Sequence, residues 1–351
     1  MTSSLNDTDV ISVSEIEKTF TVWRKRGALR RERTEVAAVA GVSFSVARGE
    51  MLGYVGPNGA GKSTTIKMLT GVLVPTSGQV RVNGLIPAQQ RVQLARRIGV
   101  VFGQRSLLWW DLPLSESFRL LRHIYRVNPD AHAERLAECR ELLELDEFIA
   151  TPVRQLSLGQ RMRGELTAAL LHDPEILFLD EPTIGLDVVS KARVRAFLAD
   201  LNTRRRTTVL LTTHDLADIE RLCPRLLIID HGRVIYDGAL ETLRERYGTS
   251  RMLVVDFTDA IPPVEVEQAE VVKVDGPRQW LRFRRDDLTA SDLIARIVAR
   301  YSVLDLTIEE PAVEDIVRNI YTGGIALDAS PPASPPASPP SASGDQPASS
   351  P

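Results

Sequence analysis

The chain has 351 residues, 43 Lys+Arg against 46 Asp+Glu, a formal net charge of -3 and 43% apolar residues. At roughly 100–200 residues per domain that is enough for about two domains with real cores, and the balance excludes fibrous, disulfide-scaffold and wholly disordered classes. The longest apolar runs, around residues 176–179 and 208–213, are of strand length, well short of the ~18 residues that a membrane-spanning helix needs.

The N-terminal MTSSLNDTDV carries acids where a signal peptide carries positive charge and has no apolar stretch behind it, so no export signal is expected. Residues 10–13 with their continuation, and residues 35–46, are strand-like. Between them Arg24, Lys25, Arg26, Arg30, Arg31 and Arg33 oppose only Glu32, so residues 22–35 read as a basic hairpin extension. Apolar runs at 51–55, 176–179, 208–213 and 226–229 have the composition of buried parallel strands, with helical stretches between them as in α/β proteins. In a helical block over about 105–165, Phe118, Leu121, Ile124 and Tyr125, then Leu136, Cys139, Leu142 and Leu143, recur at helical spacing and predict core-facing stripes. Cys139 and Cys223 lie apart without metal-ligand spacing and are expected to be reduced thiols of a cytosolic protein.

The pattern changes after Gly248. Residues 252–257 and 280–283 alternate like strands, Leu293, Ile294, Ile297, Val298 and Tyr301 mark a helix, residues 304–308 a strand, and Val313, Ile316, Val317 and Ile320 a last helix. This reads as a small α+β domain over 249–328, and it is acidic, with 15 acids against nine bases. Residues 329–351 repeat Ala-Ser-Pro-Pro, hold 8 of the 21 prolines and cannot bury apolar area; they are expected to be a disordered tail.

Chemistry concentrates in the first 248 residues. Gly56-Pro57-Asn58-Gly59-Ala60-Gly61-Lys62-Ser63-Thr64 follows the apolar run 51–55 and fits G-x-x-x-x-G-K-[ST]. Glycines let successive backbone N–H groups converge on an anion at a helix N-terminus. Lys62 would reach the β- and γ-phosphates and Ser63 would ligate Mg²⁺. Downstream, residues 176–179 end in Asp180 and Glu181. Beside the phosphate loop in a parallel sheet, Asp180 would hold Mg²⁺ and Glu181 would polarise the attacking water.

At these residues the sequence resembles the ATP-binding-cassette (ABC) ATPases. Leu156-Ser157-Leu158-Gly159-Gln160 stands where the family has its L-S-G-G-Q signature, Gln104 fits the glutamine loop, Ile184-Gly185-Leu186-Asp187 the D-loop and His214 the switch histidine. The resemblance covers roughly residues 10–240. It implies an α/β P-loop NTPase cassette (1–248) with a helical subdomain, binding ATP and Mg²⁺ between two subunits set head to tail. Ser157, Gly159 and Gln160 of one subunit, with Asp187, would then face the nucleotide held by Lys62 of the other. His214 would stabilise the γ-phosphate and water, and Gln104 would sense the metal. Phe20, after Glu17-Lys18-Thr19, fits the aromatic that stacks on adenine, with Trp23 as the other candidate. Leu158 departs from the family pattern by replacing the first glycine of the signature: a backbone N–H contact survives the change, and the loop loses freedom at φ > 0 at that residue.

With no membrane span, any solute path must belong to another polypeptide. Trp109 and Trp110 follow the glutamine loop, where the family receives a permease helix; in an extended segment both cannot point inward, so one is a candidate docking surface. A cassette followed by a small α+β domain resembles the ATP-binding subunits of ABC-2 exporters such as daunorubicin-resistance pumps, and implies a homodimer on the inner face of the membrane. Importer ATPases share the same motor chemistry. Soluble cassettes that act on ribosomes generally carry two cassettes, and here there is one phosphate loop and one signature; those that organise chromosomes separate the halves by long coiled coils, for which residues 63–157 leave no room. The basic extension could meet nucleic acid or lipid headgroups, but with few aromatics for stacking it reads as a solvated hairpin.

Overall fold

The computed structural model describes residues 9–26, 30–103, 106–248, 250–284, 286–310 and 312–322, and for residues 23–26 and 30–32 it describes the backbone. The tail expected over 329–351 lies outside the described residues. Strands β1 (Asp9–Arg26) and β2 (Arg30–Ala47) form a long antiparallel hairpin whose pairing runs from Asp9↔Ala47 to Arg26↔Arg30. The hairpin is completed by β4 (Ser77–Val82) in the order β2-β1-β4.

Six further strands make the main sheet: β3 (Met51–Val55), β5 (Ile98–Phe102), β6 (Ile176–Asp180), β7 (Thr208–Thr212), β8 (Arg225–Asp230) and β9 (Arg233–Ala239). Their order is β5-β6-β7-β3-β8-β9, the first five parallel and β9 antiparallel at the edge. Their near-continuous apolar sequence follows from burial on both faces. Leu177, Leu179, Val209 and Leu211 enter one core, and Ile176, Phe178 and Leu210 the opposite one. The second core packs the sheet on the β1–β2 hairpin, α1 (Lys62–Leu69) and α2 (Arg91–Ala95).

On the first core lie α3 (Leu114–Tyr125), α4 (Pro129–Leu142), α5 (Leu158–Leu170), α6 (Val188–Arg205), α7 (Leu216–Leu222) and α8 (Leu240–Tyr247). Phe118, Leu121, Cys139 and Leu143 are buried there as their spacing predicts. Ile124 is not: it is 58% exposed at the margin of the α3 stripe, and Tyr125 instead turns inward to stack on His172 at 4.0 Å.

Residues 250–309 build a four-stranded antiparallel sheet, β11-β12-β10-β13, from β10 (Ser250–Phe257), β11 (Ala269–Asp275), β12 (Arg278–Arg284) and β13 (Val303–Glu309). Its core closes with α9 (Ala290–Val298). The last helix, α10 (Val313–Tyr321), was expected to belong to this unit, but its buried stripe Val313, Ile316, Val317 and Ile320 joins the first core and packs on α7 and α8. The helical period announces a buried face and leaves its partner open. Burying each of these aliphatic side chains contributes about 1.5–3 kcal/mol. Among the described residues no helix is long and apolar enough to cross a membrane.

Candidate functional site

The main sheet explains how residues far apart in sequence come together. Strands β6, β7 and β3 are adjacent and parallel, so their carboxyl ends form one rim, the usual place for a ligand in a parallel α/β sheet. The loop after β3 carries residues 56–64, β6 ends in Asp180 before Glu181, and His214 follows β7.

The loop after β3 has the geometry its glycines predict. Gly59 (φ 87°) and Gly61 (φ 108°) sit in the left-handed region, where a side chain is strained. A Cβ on Gly61 would lie 2.5 Å from Ala38 O, whereas nothing lies within 4 Å of one on Gly59, so the loop presents an open cradle there. Pro57, Asn58 and Gly59 are exposed at the tip, Gly56 and Ala60 are buried, and Ser63 and Thr64 are half-buried on the first turn of α1. Lys62 is buried and donates to Gly56 O at 2.5 Å and Pro57 O at 3.2 Å. Burial holds its ammonium below the usual lysine range, opposed by the charges of Glu181 and Asp180.

Asp180 Oδ1 accepts from Ser63 Oγ at 3.3 Å and from Thr212 Oγ1 at 2.6 Å, which joins β6, β7 and α1 through one carboxylate. Glu181 takes φ 58°, an uncommon conformation for glutamate of the kind that concentrates at functional sites. Its Oε2 lies 2.6 Å from His214 Nδ1 and accepts from His214 N at 3.3 Å. Gly103 N donates to Asp180 O at 2.8 Å, so the chain after β5 arrives beside both acids. Gln104 itself lies outside the described residues.

The signature forms a separate feature. Ser157 is the N-cap of α5: its Oγ accepts from Gln160 N at 3.2 Å, and Gln160 Oε1 accepts from Ser157 N at 2.9 Å. Gln160 is therefore used in a reciprocal cap. Leu158 begins the helix and is not among the residues at positive φ, so this position needs no left-handed freedom here. Its Cδ2 covers Gly185 (φ 69°), 2.8 Å from where a Cβ would stand. Gly159 is closer still to Ser190 Oγ, at 2.6 Å from the Cβ position. Asp187 caps α6 through Ser190 N (2.9 Å) and Ser190 Oγ (2.7 Å), and these bonds hold its carboxyl below the usual aspartate range. The structure thus sets the signature on the D-loop of its own chain, with Lys62, Ser63, Asp180, Glu181 and His214 gathered on the sheet rim.

Residues 39–184 match the family model described as ABC transporter. The chain is 31% identical over 296 residues to the linearmycin resistance ATP-binding protein LnrL of Bacillus subtilis, covering 80% of this chain and 93% of that one. It is 34% identical over 210 residues to the ABC transporter ATP-binding protein NatA of the same organism, covering 60% and 85%. Among solved structures it resembles the dimeric bacterial ABC transporter cassette MJ0796, with a TM-score of 0.57, 28% identity and coverage of 66% and 98%. The chain belongs to the ABC transporter ATP-binding family. It is an ATPase subunit of a transporter.

Within this cassette Phe20 is 36% exposed on β1 with Lys18 Nζ 5.4 Å from its ring centre, so its face is partly covered. Trp109 and Trp110 are 38% and 53% exposed; both of the pair, not one, reach solvent. Sequence reasoning missed the polar core behind His214. The fully buried Asp218 of α7 accepts from Thr183 Oγ1, just before the D-loop, and pairs with Arg195 of α6. Asp215 pairs with Lys191 at 2.6 Å. A polar residue among the apolar positions of α7 was the available signal, and nothing in its spacing names a partner on another helix.

Proposed function

We propose that this ATPase powers export through a separate ABC-2-type membrane permease, with two copies closing head to tail on two Mg²⁺-ATP. The observation that carries the chemistry is the convergence of Lys62, Ser63, Asp180, Glu181 and His214 on the rim of β6, β7 and β3. Backbone N–H groups of residues 56–64 and the Lys62 ammonium bind the phosphate oxygens. Ser63 Oγ and Asp180, joined at 3.3 Å, are the hard oxygen donors that Mg²⁺ takes alongside phosphate and water; they fit it, and when bound it supplies charge neutralisation for the developing phosphoryl group. Glu181 accepts the proton of the attacking water. His214, held by Glu181, orients that water and the γ-phosphate, and Gln104 reports metal occupancy to the partner. Ser157 and Gly159 of the second copy contact the γ-phosphate, Gln160 and Asp187 support that loop, and Phe20 packs on adenine.

Export is favoured by the names of relatives that span much of the chain: LnrL, and the daunorubicin resistance ATP-binding protein DrrA3 of Streptomyces coeruleorubidus at 36% identity over 218 residues. The methionine import protein MetN of Latilactobacillus sakei, 29% identical over 302 residues, stands for the opposite direction with the same motor. The exposed Trp109 and Trp110 serve as the permease docking surface, which places the subunit on the inner face of the membrane. Co-purification of a tagged chain with the membrane polypeptide encoded beside it tests this. Recovery of a multi-span partner that is lost in a Trp109→Ala, Trp110→Ala double variant is expected; an intact complex in that variant would refute the docking surface.

A further inference from the structure

Glu165 lies two turns into α5, the helix that Ser157 caps, and is only 4% exposed. A carboxylate that deep must be hydrogen-bonded. Its partners are on a different segment: Oε1 accepts from Ser106 Oγ, and Oε2 accepts from Leu107 N at 2.9 Å. Burial pushes this carboxyl up, opposed by those two bonds and by the charge of Arg161. Neighbouring positions of α5 meet the same segment. The Arg161 guanidinium is 5.9 Å from the Trp110 ring centre. Gly164 is packed so tightly that a Cβ would be 2.7 Å from Leu114 Cδ2 and 3.2 Å from Leu108 Cδ1.

The other edge of the segment is tied to the turn that leads into the signature. Trp110 O accepts from Arg154 N at 3.0 Å, Leu112 O accepts from Val153 N at 3.1 Å, and Asp111 pairs with Arg154 at 2.9 Å. Residues 106–112 are therefore held between α5 and the chain just before Ser157. That edge is attached by two backbone bonds and one surface ion pair. Glu165 fixes the opposite end, where the segment leaves the vicinity of the phosphate site, with two half-buried bonds: the carboxylate is buried, while Ser106 and Leu107, which donate to it, are exposed.

We propose that Glu165 is a positioning residue: by holding Ser106 and Leu107 it makes the tryptophan-bearing segment and the signature helix move as one body. A change at Ser157 is then carried to Trp109 and Trp110, and the reverse. The coupling rests on the head-to-tail reading above, because it gives the signature a nucleotide to answer to.

The test is hydrogen exchange on the full chain in a Glu181→Gln background, with and without Mg²⁺-ATP, for Glu165, Glu165→Ala, Glu165→Gln and Ser106→Ala. In the parent, ATP is expected to slow exchange at 153–160 and at 106–112 together. Glu165→Ala and Ser106→Ala keep the slowing at 153–160 and lose it at 106–112. In Glu165→Ala the Leu107 amide exchanges about tenfold faster without nucleotide, the effect of one lost hydrogen bond. Glu165→Gln, isosteric and with one carbonyl acceptor left, retains part of the response and guards against misfolding of the alanine variant. An unchanged response at 106–112 in Glu165→Ala, or loss at both places, would overturn the proposal. A parent that slows at 153–160 alone would refute the coupling and leave the head-to-tail reading standing; no slowing at 153–160 would refute that reading and the coupling with it.

Discussion

The polar core behind His214 gives a quantitative prediction. Asp218 has no solvent exposure, and its carboxylate is satisfied by Thr183 and by Arg195, which is itself only 15% exposed. Arg195→Leu removes the cation and leaves the acid buried with one hydroxyl donor. Breaking a buried ion pair from one side costs about 3–5 kcal/mol, most of it the penalty of the stranded charge. In the double variant Arg195→Leu, Asp218→Leu no charge is stranded, and at least ~2 kcal/mol of that loss should return. Asp218→Leu alone should cost less than Arg195→Leu, because Arg195 still reaches Asp215 at 3.7 Å. Urea unfolding followed by circular dichroism measures this as a fall in Cm at constant slope for the single variant and a recovery for the double. An Arg195→Leu loss below about 1 kcal/mol, or a double variant no better than the single, would refute the claim that Arg195 holds Asp218 as a buried ion.

Gly185→Ala combines a φ of 69° with a Cβ placed 2.8 Å from Leu158 Cδ2. It should lower the melting temperature and the ATPase rate, and adding Leu158→Gly should recover the steric part while about 1–2 kcal/mol of backbone strain remains; full recovery in a thermal melt would show that the φ was not a constraint. Asp215 is pushed up by burial, but Lys191 and Arg195 outweigh this and hold it below the ordinary aspartate value. Its contribution is therefore complete above about pH 3.9 and is lost as pH falls through the lower folded value. Lys191→Ala should make acid unfolding begin at higher pH, and an unchanged stability–pH curve would contradict the pairing.

Much of the site was legible because its signals are local. A phosphate loop needs its glycines in sequence, and an apolar strand ending in two acids states its own geometry, so residues 56–64, 180 and 181 appear on the rim as their pattern predicts. Four runs with the composition of doubly buried strands announced the parallel sheet, while the order that unites these residues, β6-β7-β3 at the rim, is seen only in the structure. Long-range choices were not legible. The α10 stripe is apolar on one face whether it covers the accessory sheet or α7, and only complementarity in three dimensions selects α7. Leu158 removes the freedom of a glycine, but with Ser157 and Gln160 forming the cap it stands in the first turn of α5, off the left-handed region, where that freedom is unnecessary. Ile124 fits a count of spacings and still lies at the edge of its face.

The central claim is that Glu181 activates water at a site completed by a second copy. Glu181→Gln with Mg²⁺-ATP measures it most directly, by scoring hydrolysis and molar mass on one sample. Bound ATP, a turnover rate lower by ~10²–10⁴ and a stable dimer are expected; wild-type hydrolysis, or a monomer that holds ATP, would refute the role of Glu181.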